Sequence, residues 1–148
     1  MMTNIAPAAR APAHLWIVGV LGIIWNGFGV YDYLMSKLKG VDYFRQMGMT
    51  DAQIAFAQGY PVWMNAVWAI GVWGGLLGSV LLLLRRRAAA PVFAASLIAY
   101  LVSLFYTFFL SNGREVMGGT APMHAVVLAG CLFFAWYSRA MARKGVLK

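Results

Sequence analysis

An all-α integral membrane protein is the fold class this sequence predicts: a four-transmembrane-helix bundle with a short interfacial helix between spans 1 and 2. Three observations predict it. The chain is 62% hydrophobic and only 11% charged over 148 residues, whereas soluble domains carry about a quarter charged residues. Four apolar runs each reach the roughly 20 residues that a bilayer crossing requires. The basic residues gather at the ends of those runs, as topology signals do.

The net charge of +8 would suggest a nucleic-acid partner in a soluble chain. Here no basic face with interleaved aromatics exists to support one, so no nucleic acid is expected. Cys131 is the single cysteine. It excludes an intramolecular disulfide, and its apolar surroundings suit an inert packing residue.

Residues 1–13 are rich in Ala and Pro and read as a flexible tail. The apolar run from Leu15 to Met35 is followed by Ser36-Lys-Leu-Lys39 without a small-residue cleavage site, which favours an uncleaved first span over a signal peptide. That span covers about 14–36, with Trp16 at one end and Tyr31 and Tyr33 near the other, as interfacial aromatic belts require. Residues 37–60 are too polar to cross. Within them an interfacial segment covers 41–58, broken at Gly48, where Thr50-Asp51-Ala52-Gln53 has the form of a capping box. Its second part fits a helix lying in the headgroup region. Gly59-Tyr60-Pro61 ends it, Pro61 suiting the first turn of a new helix.

The second span, about 61–84, ends abruptly at Arg85-Arg86-Arg87. Its Gly71, Gly74, Gly75 and Gly78 form overlapping GxxxG patterns, which open a groove for a second backbone. The third span, about 89–110, repeats small residues at Ala95, Ala99 and Ser103, a stripe suited to meeting that groove. A polar loop from Ser111 to Thr120 leads to the fourth span, about 122–142, and a basic tail at 143–148. Four crossings place Arg10, Arg85, Arg86, Arg87, Arg139, Arg143, Lys144 and Lys148 on one side, and Lys37, Lys39, Arg45 and Arg114 on the other. This split predicts cytoplasmic termini in a bacterial inner membrane.

Polar side chains within spans are functional candidates, because burying them in hydrocarbon is costly. Asn26 lies mid-membrane, either as a helix-register hydrogen bond or as a ligand contact. Asp32 lies near the outer interface, either paired with Arg114 or Lys37 or acting as a proton or cation site. Asn65 sits at similar outward depth, so the two are expected to face one pocket. Tyr100, Tyr106, Thr107 and His124 complete the polar set. Trp63 reads as an interfacial anchor or, meeting Asn65 and Asp32, as part of an outer-end ligand site, while Trp68 and Trp73 lie deeper, suited to packing or to stacking on a sugar or cation.

Metal and haem chemistry find no ligand set. The two histidines, His14 and His124, open spans from opposite sides, which separates them by nearly the hydrocarbon thickness of about 30 Å. No CxxC, HExxH or Ser–His–Asp arrangement is present, and the four acids form no close sequence pair. Neither an enzyme nor a cofactor is expected.

Three stretches carry a resemblance: Trp25-Asn-Gly-Phe-Gly-Val-Tyr-Asp-Tyr33, Tyr60-Pro-Val-Trp63, and Trp68-Ala-Ile-Gly-Val-Trp-Gly-Gly75 running into Arg85–Arg87. Over about 14–110 the chain resembles a family of small four-span bacterial inner-membrane proteins often labelled sugar transporters. The resemblance implies that Asn26, Asp32, Pro61, Trp63, Trp68 and Trp73 are the positions to test.

Two functions follow as expectations. The first is a non-enzymatic membrane component that binds a partner protein, a lipid or itself through small-residue helix faces. The second is a small-solute or proton-coupled transporter, which four short helices could form only as an oligomer. No internal repeat supports the second, so the first is preferred, with the outer end as the expected ligand site.

Overall fold

Residues 9–148 are described by the structure, a computed structural model; residues 1–8 of the expected N-terminal tail lie outside the described residues. Helix α1 (Ala13–Leu38) is followed by two short helices, α2 (Val41–Gln46) and α3 (Asp51–Gln58). The long helices α4 (Val62–Leu83) and α5 (Ala89–Phe105) come next, and α5 continues into a π turn at Tyr106–Leu110. A short α6 (Gly113–Met117) and a 3₁₀ turn (Gly118–Thr120) lead into α7 (Ala121–Arg143). Four helical stretches are long and apolar enough to cross a membrane, so this is a multi-pass membrane protein.

The crossings alternate in direction. Helices α4 and α5 form the central pair, with α1 packed on α4 and α7 on α5. Side chains of α1 and α7 also meet, because His14 hydrogen-bonds the Tyr137 hydroxyl. The start of α1, the α4–α5 loop and the C-terminus share one end of the bundle, here the terminal end; α2, α3 and α6 cover the distal end.

The helix ends follow local rules. Thr50 accepts from Gln53 N at 3.2 Å and Gln53 Oε1 accepts from Thr50 N at 3.1 Å, the reciprocal capping box read from the sequence. The interfacial segment is two helices rather than one, since Gly48 adopts φ +79° between them. At the other end of the molecule Arg85 is the only non-glycine with positive φ, +56°, among the described residues. It turns the chain out of α4, with its amide bonded to Leu82 O at 3.0 Å.

Glycines bring α4 close to two neighbours at once. Gly74 faces Ser96, where a Cβ would stand 3.4 Å from the Ser96 Cβ, and Gly71 O accepts from Ser96 Oγ at 2.6 Å. Gly78 lies against the Phe93 ring, and Gly75 lies against Asn26 of α1, leaving no room for a Cβ. The small-residue face of α5 is therefore Ser96 and Ala99 beside Phe93, not the expected Ala95–Ala99–Ser103 stripe. Ala95 is exposed and Ser96 buried, one residue and about 100° around the helix.

A buried hydrophobic cluster sits at the terminal end, where Leu15, Leu82, Phe93, Phe134, Tyr137 and Met141 pack with Val146 and Leu147. The final residues are thus not simply a basic tail. Gly145, at φ +72°, reverses the chain after α7 and returns it under the bundle. Lys148 N then donates to Arg85 O at 2.7 Å, and Arg87 N donates to Lys148 O at 2.8 Å. Arg85 Nε adds a bond to Val146 O at 3.0 Å. A backbone clamp closes this end.

Candidate functional site

The distal end gathers most of the polar side chains singled out by sequence, but it distributes them among separate contacts. Asp32, near the C-terminal end of α1, accepts a hydrogen bond from the Tyr43 hydroxyl at 2.7 Å. That contact exists because Gly40, at φ +53°, folds α2 back against α1. Tyr43 is buried; loss of hydration, followed by the bond to Asp32, pushes its hydroxyl up to about 12. Asp32 thus meets a phenol rather than Lys37 or Arg114, the cations open to it as ion-pair partners in the sequence.

Lys37 goes elsewhere. Its Nζ donates to Asn65 Oδ1 on α4 at 2.5 Å, and it stands 5.7 Å from the Tyr33 ring centroid and 5.6 Å from that of Trp68. The two rings meet edge to face with centroids 5.0 Å apart. Tyr33 and Lys37 are four residues apart on one helix face, while Asn65 and Trp68 are three apart on the opposing one. Two helical repeats therefore assemble a cation in an aromatic cleft. Asn65 meets Lys37 in this cleft, rather than sharing a pocket with Asp32.

Trp63 belongs to a third group. It packs on Tyr106 with centroids 5.3 Å apart, and Tyr106 in turn meets Tyr60, which meets Phe56 of α3. Burial raises the Tyr60 hydroxyl above its ordinary value. Phe56 and Tyr106 of this chain wall a depression of about 430 Å³ that also includes Ala52, Ser111 and Asn112. Ser111 Oγ lies 2.9 and 3.0 Å from the carbonyls of Tyr106 and Thr107, and it accepts from Gly113 N at 3.2 Å. The hydroxyl satisfies backbone groups that the π turn leaves open.

Asn26 is far from these groups. Its Nδ2 donates to Gly22 O at 2.9 Å and to Ser79 Oγ at 3.2 Å, tying α1 to α4 in mid-bundle. Ser79 Oγ in turn donates to Gly75 O at 2.9 Å. Trp73 is exposed on the lipid-facing surface of α4, and Pro61 caps the start of that helix. Each histidine pairs with a tyrosine: His14 with Tyr137, and His124 with Tyr100 at 2.8 Å between α7 and α5.

Charge divides sharply along the bundle. All four acids, Asp32, Asp42, Asp51 and Glu115, lie in the distal half with four cations, while the terminal end carries eight cations and no acid. In the sequence Tyr33 reads as an interfacial belt residue, Tyr43 as part of a short interfacial segment, and Lys37 as a topology charge or a partner for Asp32. The i, i+4 spacing of Tyr33 and Lys37 was the available signal; nothing local announces Tyr43.

Fold and site define a multi-pass helical membrane protein with a cationic, aromatic cleft at its distal end. No family model, curated protein or solved structure matches the chain.

Proposed function

We propose that this protein is a non-enzymatic binding component of a bacterial inner membrane, with both termini cytoplasmic, and that it takes a small acidic ligand in the outward-facing Lys37 cleft. The observation that carries the reading is the ammonium itself. Lysine has three N–H donors, and Asn65 engages Lys37 in the sole hydrogen bond found for it among the described residues. The others point from an exposed residue, with two aromatic rings holding the cation in place. The orientation rests on the excess of basic residues at the terminal end.

Binding is favoured over passage through the bundle by what fills its middle. Asn26 and Ser79 join α1 to α4, and Phe93 stacks on Phe134 with centroids 5.4 Å apart. Self-association through the α4 glycines is not part of the proposal, because Ser96, Asn26 and Phe93 of the same chain occupy those faces.

Tryptophan fluorescence tests the reading, since Trp68 adjoins the cleft. Titrating the protein in nanodiscs with small carboxylates and inorganic phosphate should change emission. Lys37→Met should weaken the response about tenfold or more, as expected for losing a charged hydrogen bond, and Trp68→Phe should silence it. A response unchanged in Lys37→Met would reject the site.

A further inference from the structure

The distal end holds a second cation whose surroundings differ from those of Lys37. Between α5 and α7 runs an open groove of about 540 Å³, walled by Leu101, Leu104, Phe105, Phe108 and Leu128, with Arg114 at its end. The Arg114 guanidinium stands 5.4 Å from the Phe109 ring centroid, an arrangement that fixes a cation at an apolar rim. Its N–H groups make no hydrogen bond among the described residues. Glu115, the neighbouring acid, does not line the groove. His124, the other polar group there, is engaged by Tyr100.

We infer that this groove is a site for one anionic glycerophospholipid from the distal leaflet, with an acyl chain between α5 and α7 and the phosphate on Arg114. The match is one of shape and charge together. A fixed guanidinium at membrane-surface level offers a planar set of donors suited to phosphate oxygens, and basic pockets between spans bind lipid headgroups by this means. The apolar groove beneath it is lipid-facing, since Leu101 and Phe105 are exposed. A helix from a second copy fits poorly. The α5 wall is made of large side chains, with small ones only at Ala121 and Ala125 on α7, whereas close helix approach requires small residues on both faces, and covering Arg114 with apolar surface would strand its charge.

Native mass spectrometry of delipidated protein, with lipid added back, tests the inference. The probes are phosphatidylglycerol, phosphatidylcholine and chainless glycerol 3-phosphate. Wild type should retain one phosphatidylglycerol about tenfold more tightly than phosphatidylcholine, and should not retain glycerol 3-phosphate. Arg114→Gln should abolish the preference between the two lipids. Ala125→Phe, which fills the groove, should weaken retention of both, whereas Arg86→Gln at the opposite end should alter neither. Equal retention of the two lipids by wild type, an unchanged preference in Arg114→Gln, or binding of glycerol 3-phosphate as tight as that of phosphatidylglycerol would each overturn it. Arg114 is exposed, so its variant carries the test should Ala125→Phe misfold. Lys37 lies between a different pair of helices, so the Lys37→Met titration and this experiment fail independently.

Discussion

Asn26 fills the space above Gly75: its side-chain carboxamide occupies the position that a Cβ on Gly75 would take. The same Asn26 donates to Ser79 one turn further along α4. A polar residue from α1 and a glycine from α4 therefore form one fitted contact in the centre of the bundle.

Gly75→Ala should accordingly destabilise the single subunit, by about 1–3 kcal/mol as for overpacked cores. Asn26→Ala in the same chain should recover most of that loss, because the clashing atoms are gone. Thermal unfolding in mild detergent of the two single variants and the double variant measures the coupling. Additive losses would show that the two residues do not compete for the same space. Ser79→Ala, which removes only a hydrogen-bond partner, should cost about 0.6 kcal/mol, the usual worth of such bonds within membranes.

Leu147 is 2% exposed and packs in the terminal-end cluster. Leu147→Ala should lower stability by about 2 kcal/mol or more, the range for a truncated core leucine. Removing residues 146–148 should cost more, since it also releases the Arg85 carbonyl and the Arg87 amide. The same unfolding assay reads both, and a wild-type melting temperature after the deletion would refute the clamp.

Tyr43 sets an alkaline limit. Its hydroxyl titrates near 12 when folded against 10.0 in the ordinary state, so the folded chain binds more protons through that window. Stability from this group is fully present below pH 10 and is lost as pH rises toward 12. Melting temperature should therefore fall between pH 10 and 12. Tyr43→Phe should flatten the fall, with Tyr60 contributing a remaining slope in the same direction. An unchanged slope in Tyr43→Phe would assign the alkaline loss to other groups.

Ser111→Ala removes the hydroxyl shared by Tyr106 O, Thr107 O and Gly113 N. Loss of about 1 kcal/mol is expected, concentrated at the distal end. Hydrogen exchange at the amides of Gly113 and its α6 neighbours should accelerate while mid-bundle amides stay protected.

The four crossings and the capping box at Thr50 were legible because they follow from hydrophobic length and from side chains three residues apart. The packing register was not. Ala94, Ala95, Ser96 and Ala99 are all small, so composition cannot say which of them faces α4; the interleaving of Phe93 against Gly78 decides it. The C-terminal clamp was also hidden, since two apolar residues after Gly145 carry no periodic signal. Their burial depends on a cluster that Leu15, Leu82 and Tyr137 build from α1, α4 and α7. At the candidate site, residue types were legible but pairings were not. Asp32 meets Tyr43 and Lys37 meets Asn65 because α2 folds back at Gly40 and α1 crosses α4, and neither event is written in a single stretch.

The uneven charge of the two ends has a consequence for how copies of this chain can meet. Orientation follows the placement of Lys and Arg, so eight cations at one end against four at the other would direct insertion to a single sense. Any assembly of identical copies would then be parallel, its symmetry axis along the membrane normal, and every Lys37 cleft in it would open to the same compartment.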